Sequence, residues 1–335
     1  MITVRTWLAV VLSLSLGISS FAQSQPFSFG LWGDMPYAKA GDGPKIAALI
    51  DSINASDIVF SLFDGDIKDG SSKCTDDVYS DALTMFSMLK KPVVYIPGDN
   101  EWTDCHRLNN GGYDNIERLT HVRKVMFPSL ESLGQSRMPL VHQGAPGAKF
   151  IENVRFSHAG IVFVGLNIPG SNNNKVLGDK DCTGKSARTP AQCAADNVEY
   201  LERDAANVEW MQQAFRTARD VRAAGVVVVF QGDPGFDLPE TEDADESVAP
   251  EVSGYRNFLA KLVAETESFS GQVLLVHGDT HFFKVDKPLY SPTRLLANLT
   301  RLQTFGSPAI HWVRVSVDVA TEQVFTIHPV IVKHR

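Results

Sequence analysis

The sequence predicts an α/β protein built in layers, in which strands alternate with helices and closing hairpins supply a second sheet packed on the first. Three patterns carry this reading. Short apolar runs rich in Val, Ile and Phe recur between segments with a helical period. Five of those runs stop at a Gly-Asp pair. The last forty residues alternate apolar and polar, as antiparallel strands do.

Taken in order, FSFGLWGD (27–34) reads as a strand and GPKIAALIDSIN (43–54) as a helix with Ile46, Leu49, Ile50 and Ile53 on one face. DIVFSLFDGD (57–66) and PVVYIPGDN (92–100) are further strands, separated by a helix over 76–89 and followed by one over 113–127. FIENVRF (150–156) and IVFVGLN (161–167) form a hairpin, and Asn172–Asn174 a polar turn beyond it. The longest helix is expected over 197–225, ending at Gly225. GVVVVFQGDP (225–234), a helix over 252–267 and GQVLLVHGDTH (271–281) repeat the strand–helix–strand unit. The tail is read as antiparallel strands at 295–303, 311–319 and 323–332.

The chain of 335 residues has a formal net charge of −8 and ordinary apolar content. Residues 1–22 carry one early cation, Arg5, an apolar core and small residues Ser20 and Ala22, which predicts a secretory signal peptide cut after Ala22. Loss of Arg5 takes the charge from −8 to −9. An acidic product lacks the cationic surface that nucleic-acid binding needs. No other apolar run is long enough to span a bilayer, so a secreted or periplasmic chain is expected, with residues 23–335 as one domain. In that setting the four cysteines pair as disulfides: Cys182 with Cys193 across one polar segment, and Cys74 with Cys105 beside the acidic clusters. The acidic segment 236–250 is read as a solvated loop.

In layered α/β folds the loops at the carboxyl edge of a sheet gather around the ligand. Here those loops carry Asp34, Asp66, Asp99, Asp233 and Asp279, each after a glycine that frees the backbone to turn. Carboxylates brought together repel, and a divalent cation removes the problem.

GDMP (33–36), GDIKD (65–69), GDNE (98–101), FQGDP (230–234) and GDTH (278–281) follow the order and spacing of the motifs of the calcineurin-like metallophosphoesterases, which this chain resembles over roughly residues 27–283. The resemblance implies a four-layer sandwich, two mixed β-sheets flanked by helices. It also implies metal ligands at Asp34, Asp66, Asp99, Gln231, Asp279 and His281, with Asp66 bridging. The chain departs from the family at several of these positions. Pro36 replaces a histidine, and Asp99, Gln231 and Asp279 stand where nitrogen or amide ligands are expected. Oxygen donors in their place favour one or two ions of Mg²⁺, Mn²⁺ or Ca²⁺ over Zn²⁺ or Fe.

By resemblance the activity is hydrolysis of phosphate mono- or diesters of small substrates through a metal-bound hydroxide. Asn100 occupies the place of the family's acid-supplying histidine, so His106 is the expected replacement, Arg107 a phosphate contact and Glu101 a supporting group. The alternative is a catalytically weak or inactive binding protein on the same fold. A haloacid-dehalogenase-type phosphatase with Asp64 as nucleophile is a further rival, weakened by Lys68 and by the motif's place on the second strand. An EF-hand fails at its third ligand position.

Overall fold

The computed structural model describes Ile2 and residues 25–235, 249–289 and 295–333. The expected signal peptide (Ile2 apart) and most of the acidic segment 236–250 lie outside the described residues.

The first sheet has five strands in the order β12 (Phe325–Val330), β11 (Trp312–Val317), β1 (Phe27–Trp32), β2 (Ser61–Phe63), β3 (Val93–Tyr95). β1, β2 and β3 run parallel, and β11 and β12 pair antiparallel beside them. The second has seven: β4 (Val141–His142), β5 (Val154–His158), β6 (Ile161–Gly165), β7 (Gly225–Val229), β8 (Gln272–His277), β10 (Leu299–Gln303), β9 (Lys284–Asp286). Its central run β6–β7–β8–β10 is parallel.

The apolar strands are buried on both faces, as central parallel strands must be. In β7, Val227 and Val229 face the other sheet, where they join Phe29, Leu62, Phe163 and Leu274. Val226 and Val228 face outward instead, under α6 (Pro190–Asp220) and α7 (Arg256–Glu267). Trp32, Phe63 and Tyr95 do the same on the first sheet, beneath α1 (Asp42–Ala55), α2 (Asp76–Ser87) and α3 (Asn115–Met126). Three cores thus separate four layers, helix–sheet–sheet–helix, which is the architecture expected from the sequence.

Two elements differ from their sequence reading. The long helix α6 begins at Pro190 because Thr189 caps it reciprocally with Gln192, and it ends at Asp220, leaving Gly225 to open β7. The tail is not wholly antiparallel: β10 runs parallel to β8, because the chain from Gly278 to Asn298 is long enough to cross back. That connection holds β9, and neither it nor the two-residue β4 is visible in the sequence pattern.

Both disulfides form as expected, Cys74–Cys105 and Cys182–Cys193. The first spans 31 residues and ties the segment after β2 to the 3-10 turn Thr103–His106 after β3. Cys105→Ala is expected to cost about 3–4 kcal/mol, from loop-closure entropy. A denaturant titration of the oxidised chains checks it, and an unchanged midpoint would contradict it.

Candidate functional site

The parallel strands of each sheet end at one edge, and the two edges meet. Asp34, Asp66 and Asp99 follow β1, β2 and β3, and Gln231 and Asp279 follow β7 and β8. Contact across the sheets is direct, since Gln231 Nε2 donates to Asp66 Oδ2 and to Asp99 Oδ1, each at 3.2 Å. Asp34, Asp66, Asp99, Asn100, Glu101 and Gln231 are all buried.

Gly65 is left-handed (φ 113°), as expected of these glycines, but the left-handed turn falls also on the aspartates themselves, Asp34 (φ 50°), Asp66 (φ 64°) and Asp279 (φ 76°), and on His281 (φ 68°). Gly98 and Gly278 are needed for room: a Cβ would lie 2.1 Å from Asp66 Oδ1 at the former and 2.1 Å from Asp34 Oδ2 at the latter. Non-glycine residues in this region cost on the order of 1–3 kcal/mol each and cluster at functional sites.

Asp66 is the hub. Its Oδ1 accepts from Asn100 N (3.0 Å), and its Oδ2 accepts from Asn100 Nδ2 (2.6 Å), Gln231 Nε2 and Tyr37 Oη (3.4 Å). Asp99 gives its Oδ1 to Gln231 and its Oδ2 to Ser171 Oγ at 2.9 Å. Asp279 Oδ2 accepts from Asp233 N at 2.8 Å, while the Asp233 carboxylate turns back onto Gly235 N. Asp34 Oδ2 accepts from Asp279 N at 3.0 Å, and Oδ1 is buried without a hydrogen-bond partner, 3.5 Å from His281 Nε2. His281 Nδ1 donates to Ser307 O at 2.7 Å and its Nε2 lies 2.9 Å from Tyr37 Oη. Burial lowers the imidazole pKa, but Asp34 outweighs it and raises the value overall, and only the neutral ring carries a lone pair on Nε2.

Burial, then the neighbouring charges of Asp99, Glu101, Asp34 and Asp279, pushes the Asp66 carboxyl well above its ordinary range. Asp279 rises for the same reasons, burial first and Asp99 second. The Tyr37 phenol is raised by burial and then by the same carboxylates, so it stays neutral.

Among the described residues, no group of three or more His, Cys, Asp or Glu side chains is arranged to hold a metal ion. Two polar groups bridge these side chains: the Tyr37 hydroxyl touches His281 and Asp66, and the Gln231 amide donates to Asp66 and Asp99. Gln231 is therefore a donor to the carboxylates, against its reading as an oxygen ligand. Its Oε1 is taken by Gly170 N at 2.7 Å.

Glu101, expected as a supporting group, bonds the backbone of the rim, and Asn100 and His106 take other tasks. Glu101 is fully enclosed behind the rim, where Oε1 accepts from Asp66 N, Ile67 N, Gly98 N and Tyr95 Oη, so it positions the loops. Asn100 holds Asp66 with both its backbone and its amide. His106 is buried, and desolvation, then Arg188 and Arg107, lower its pKa to about 3, so at neutral pH it has no proton to give as an acid. Arg107 is half-exposed, paired with Asp104 Oδ2 at 2.5 Å and bonded to Ser171 Oγ at 3.1 Å.

Sequence reasoning missed Asp104, Ser171 and Tyr37. Asp104 is buried, its Oδ1 lies 2.7 Å from Ser171 Oγ and shares that hydroxyl's single hydrogen with Asp99 Oδ2, and burial and then Asp99 raise it to about 7. His106, Arg107, Asp104, Ser171, Lys175 and Lys185 border a cleft of about 1130 Å³, which Asp34, Asp66, Asp99, Asp279 and His281 do not line; Ser171 connects it to Asp99. Asp64, the nucleophile of the dehalogenase reading, is fully buried and bonded to Thr304 Oγ1 at 2.7 Å, and the four-layer architecture is not that rival's.

No protein-family model matches the chain, and no curated protein matches it. Solved structures do. PhoD is 11% identical, with 91% of this chain and 68% of that one covered and a TM-score of 0.54. The purple acid phosphatase PPD1 from yellow lupin (Lupinus luteus) seeds is 12% identical, covering 92% and 54% at a TM-score of 0.47. GAP50, the anchor in the inner membrane complex of Plasmodium, is 12% identical, covering 92% and 89%, also at 0.47. The likeness to PhoD establishes the calcineurin-like metallophosphoesterase fold for this chain, as the sequence resemblance implied. At this identity it carries the fold alone.

Proposed function

We propose that the chain is an extracytoplasmic phosphoesterase that uses a divalent cation, Mg²⁺, Mn²⁺ or Ca²⁺, held by Asp34, Asp66 and His281. One observation carries the reading: Asp34 Oδ1, buried without a hydrogen-bond partner, lies 3.5 Å from His281 Nε2, and the Tyr37 hydroxyl links that nitrogen to Asp66 Oδ2. A bare buried carboxylate oxygen costs several kcal/mol unless a cation or proton meets it. The donor set of carboxylate oxygen and a single imidazole suits a hard ion. The left-handed aspartates and the like-charge crowding support the same conclusion.

A bound cation would neutralise the carboxylates and polarise a phosphate oxygen. The chain's own residues supply the rest. Arg107, held by Asp104 and Ser171, presents a guanidinium at the cleft mouth for a phosphate oxygen. Asn100 and Glu101 fix the Asp66 loop. The cleft is wide enough for an organic group on a small phosphorylated substrate. The acidic chain argues against nucleic acid as that substrate. Export is supported by the N-terminal sequence and the two disulfides. Among the described residues no helix is long and apolar enough to cross a membrane.

The test is elemental analysis of protein loaded with Mg²⁺, Mn²⁺ or Ca²⁺ and freed of excess, followed by assays on bis-p-nitrophenyl phosphate and a mononucleotide. Bound cation with turnover is expected, and chain free of cation would refute the reading. Tyr37→Phe is expected to tighten cation binding by roughly 2–10-fold, because the hydroxyl that now lies against His281 Nε2 is gone. Isothermal titration checks this, and weaker binding would instead make the hydroxyl a ligand.

A second reading has its own observation. The four donors on Asp66 close a self-sufficient network, so a binding protein of this fold without turnover is the alternative. It predicts no hydrolysis with any cation and no difference between wild type and Asp66→Asn.

A further inference from the structure

The Gln231 amide has one allowed orientation. Gly170 N donates to Oε1, and the reverse assignment would set two N–H donors face to face. Nε2 is therefore aimed at the carboxylates, and its two hydrogens serve Asp66 Oδ2 and Asp99 Oδ1, one each. A nitrogen bridging two carboxylates from neighbouring loops stands where a bridging cation would stand.

Space is closed there as well. A Cβ on Gly170 would lie 2.7 Å from Asp99 Oδ2 and 2.9 Å from Asp279 Oδ2, so the strap carrying Gly170 lies directly on both carboxylates. The remaining Asp99 oxygen is taken by Ser171 Oγ. The strap does not swing away freely. Ser171 to Asn174 are all left-handed, with φ between 51° and 61°, a conformation costing roughly 1–2 kcal/mol per residue unless its surroundings enforce it. Buried Arg203 enforces it by donating to the backbone carbonyls of Asn167 and Asn173 at 2.9 Å each, and Gly254 N holds Asn172 Oδ1 at 2.7 Å. On the opposite side, at Asp34, no amide intervenes and an oxygen is left over.

We propose that the Gln231 amide and the Gly170–Asn174 strap replace a second cation, so that the centre holds a single divalent ion on the Asp34 side. This rests on the cation site proposed above. The amide supplies partial positive charge and two directed hydrogens but no net charge, so Asp99 is kept in place without becoming a ligand.

The test counts ions on the full mature chain saturated with Mn²⁺ and dialysed. Wild type is expected to retain one per chain and Gln231→His two, since an imidazole nitrogen exchanges the donor for a lone pair. Two ions on wild type, or one on a folded Gln231→His, would overturn the inference. None on wild type would overturn the cation site itself and this inference with it. Gln231→Glu guards against a histidine variant that does not fold: it keeps the shape and turns a donor into a third carboxylate. In EDTA its melting temperature is expected to fall below wild type, and its rise on adding Mn²⁺ to exceed the wild-type rise. A rise no larger than wild type would also overturn the proposal.

Discussion

Asp66→Asn is expected to erase the thermal stabilisation that a divalent cation gives the wild-type chain, and to reduce phosphoester turnover to background. Asp66 is the carboxylate on which the loops after β2, β3 and β7 and the Tyr37 hydroxyl converge. Asparagine keeps its shape but removes the charge and one acceptor. Saturation at a hundred times the dissociation constant stabilises a folded protein by about 2.7 kcal/mol. For a chain of this size that is roughly 3–5 °C in melting temperature. The variant should lose this increment while its melting temperature in EDTA stays close to wild type, because removing one buried charge offsets the lost hydrogen bonds. That pairing distinguishes a lost ligand from a broken fold. A full cation response in Asp66→Asn would remove Asp66 from the site.

In EDTA the chain should become less stable as pH rises from about 6.5 through 7, and saturating cation should flatten that dependence. Asp64, Asp66, Glu101, Asp104 and Asp279 all bind their protons more tightly in the folded state, with burial the first cause in each. A group raised in this way contributes its full stability below its unfolded value and loses it as pH climbs through its folded value. For Asp104 that span runs from 3.8 to about 7, and Asp66 and Asp279 are likewise raised well above their ordinary range, burial first. Each such carboxyl contributes a slope of up to about 1.4 kcal/mol per pH unit while it titrates. His106 acts oppositely, because its depressed value costs stability as pH falls below its unfolded pKa of 6.5. That sets the lower limit of the window. Melting curves at several pH values, with and without Mn²⁺, measure both effects. A stability in EDTA that is flat or rises over the window would contradict the shared cause, which is crowding of buried carboxylates.

The layered fold was legible because its central strands are apolar on both faces, as in GVVVV before Gln231, and because each ends at a glycine and an acid. The acid positions were legible too, since strand order along the chain places those ends at one edge. What could not be read was the state of each side chain. The orientation of Gln231 is fixed by Gly170 N, sixty-one residues away in sequence. Tyr37 lies in the first motif, three residues after Asp34, but nothing local tells a hydroxyl facing an imidazole from a packed ring. Asp104 and Ser171 sit in short irregular turns with no period to mark them. One signal was present and under-read. Three consecutive asparagines after Gly-Ser are the residues that best tolerate left-handed backbone, and the turn at Ser171–Asn174 uses all of them.

The middle core has a consequence for the rim above it. Asp34, Asp66 and Asp99 ride on one sheet and Gln231, Asp279 and His281 on the other, so the aromatic rings packed between the sheets, with Phe163 edge-on to Phe29 and Phe60, act as a calliper whose opening sets the reach between the two sets of rim side chains. Shaving a ring far from the carboxylates, as in Phe163→Leu, would narrow that gauge and retune which ion is gripped.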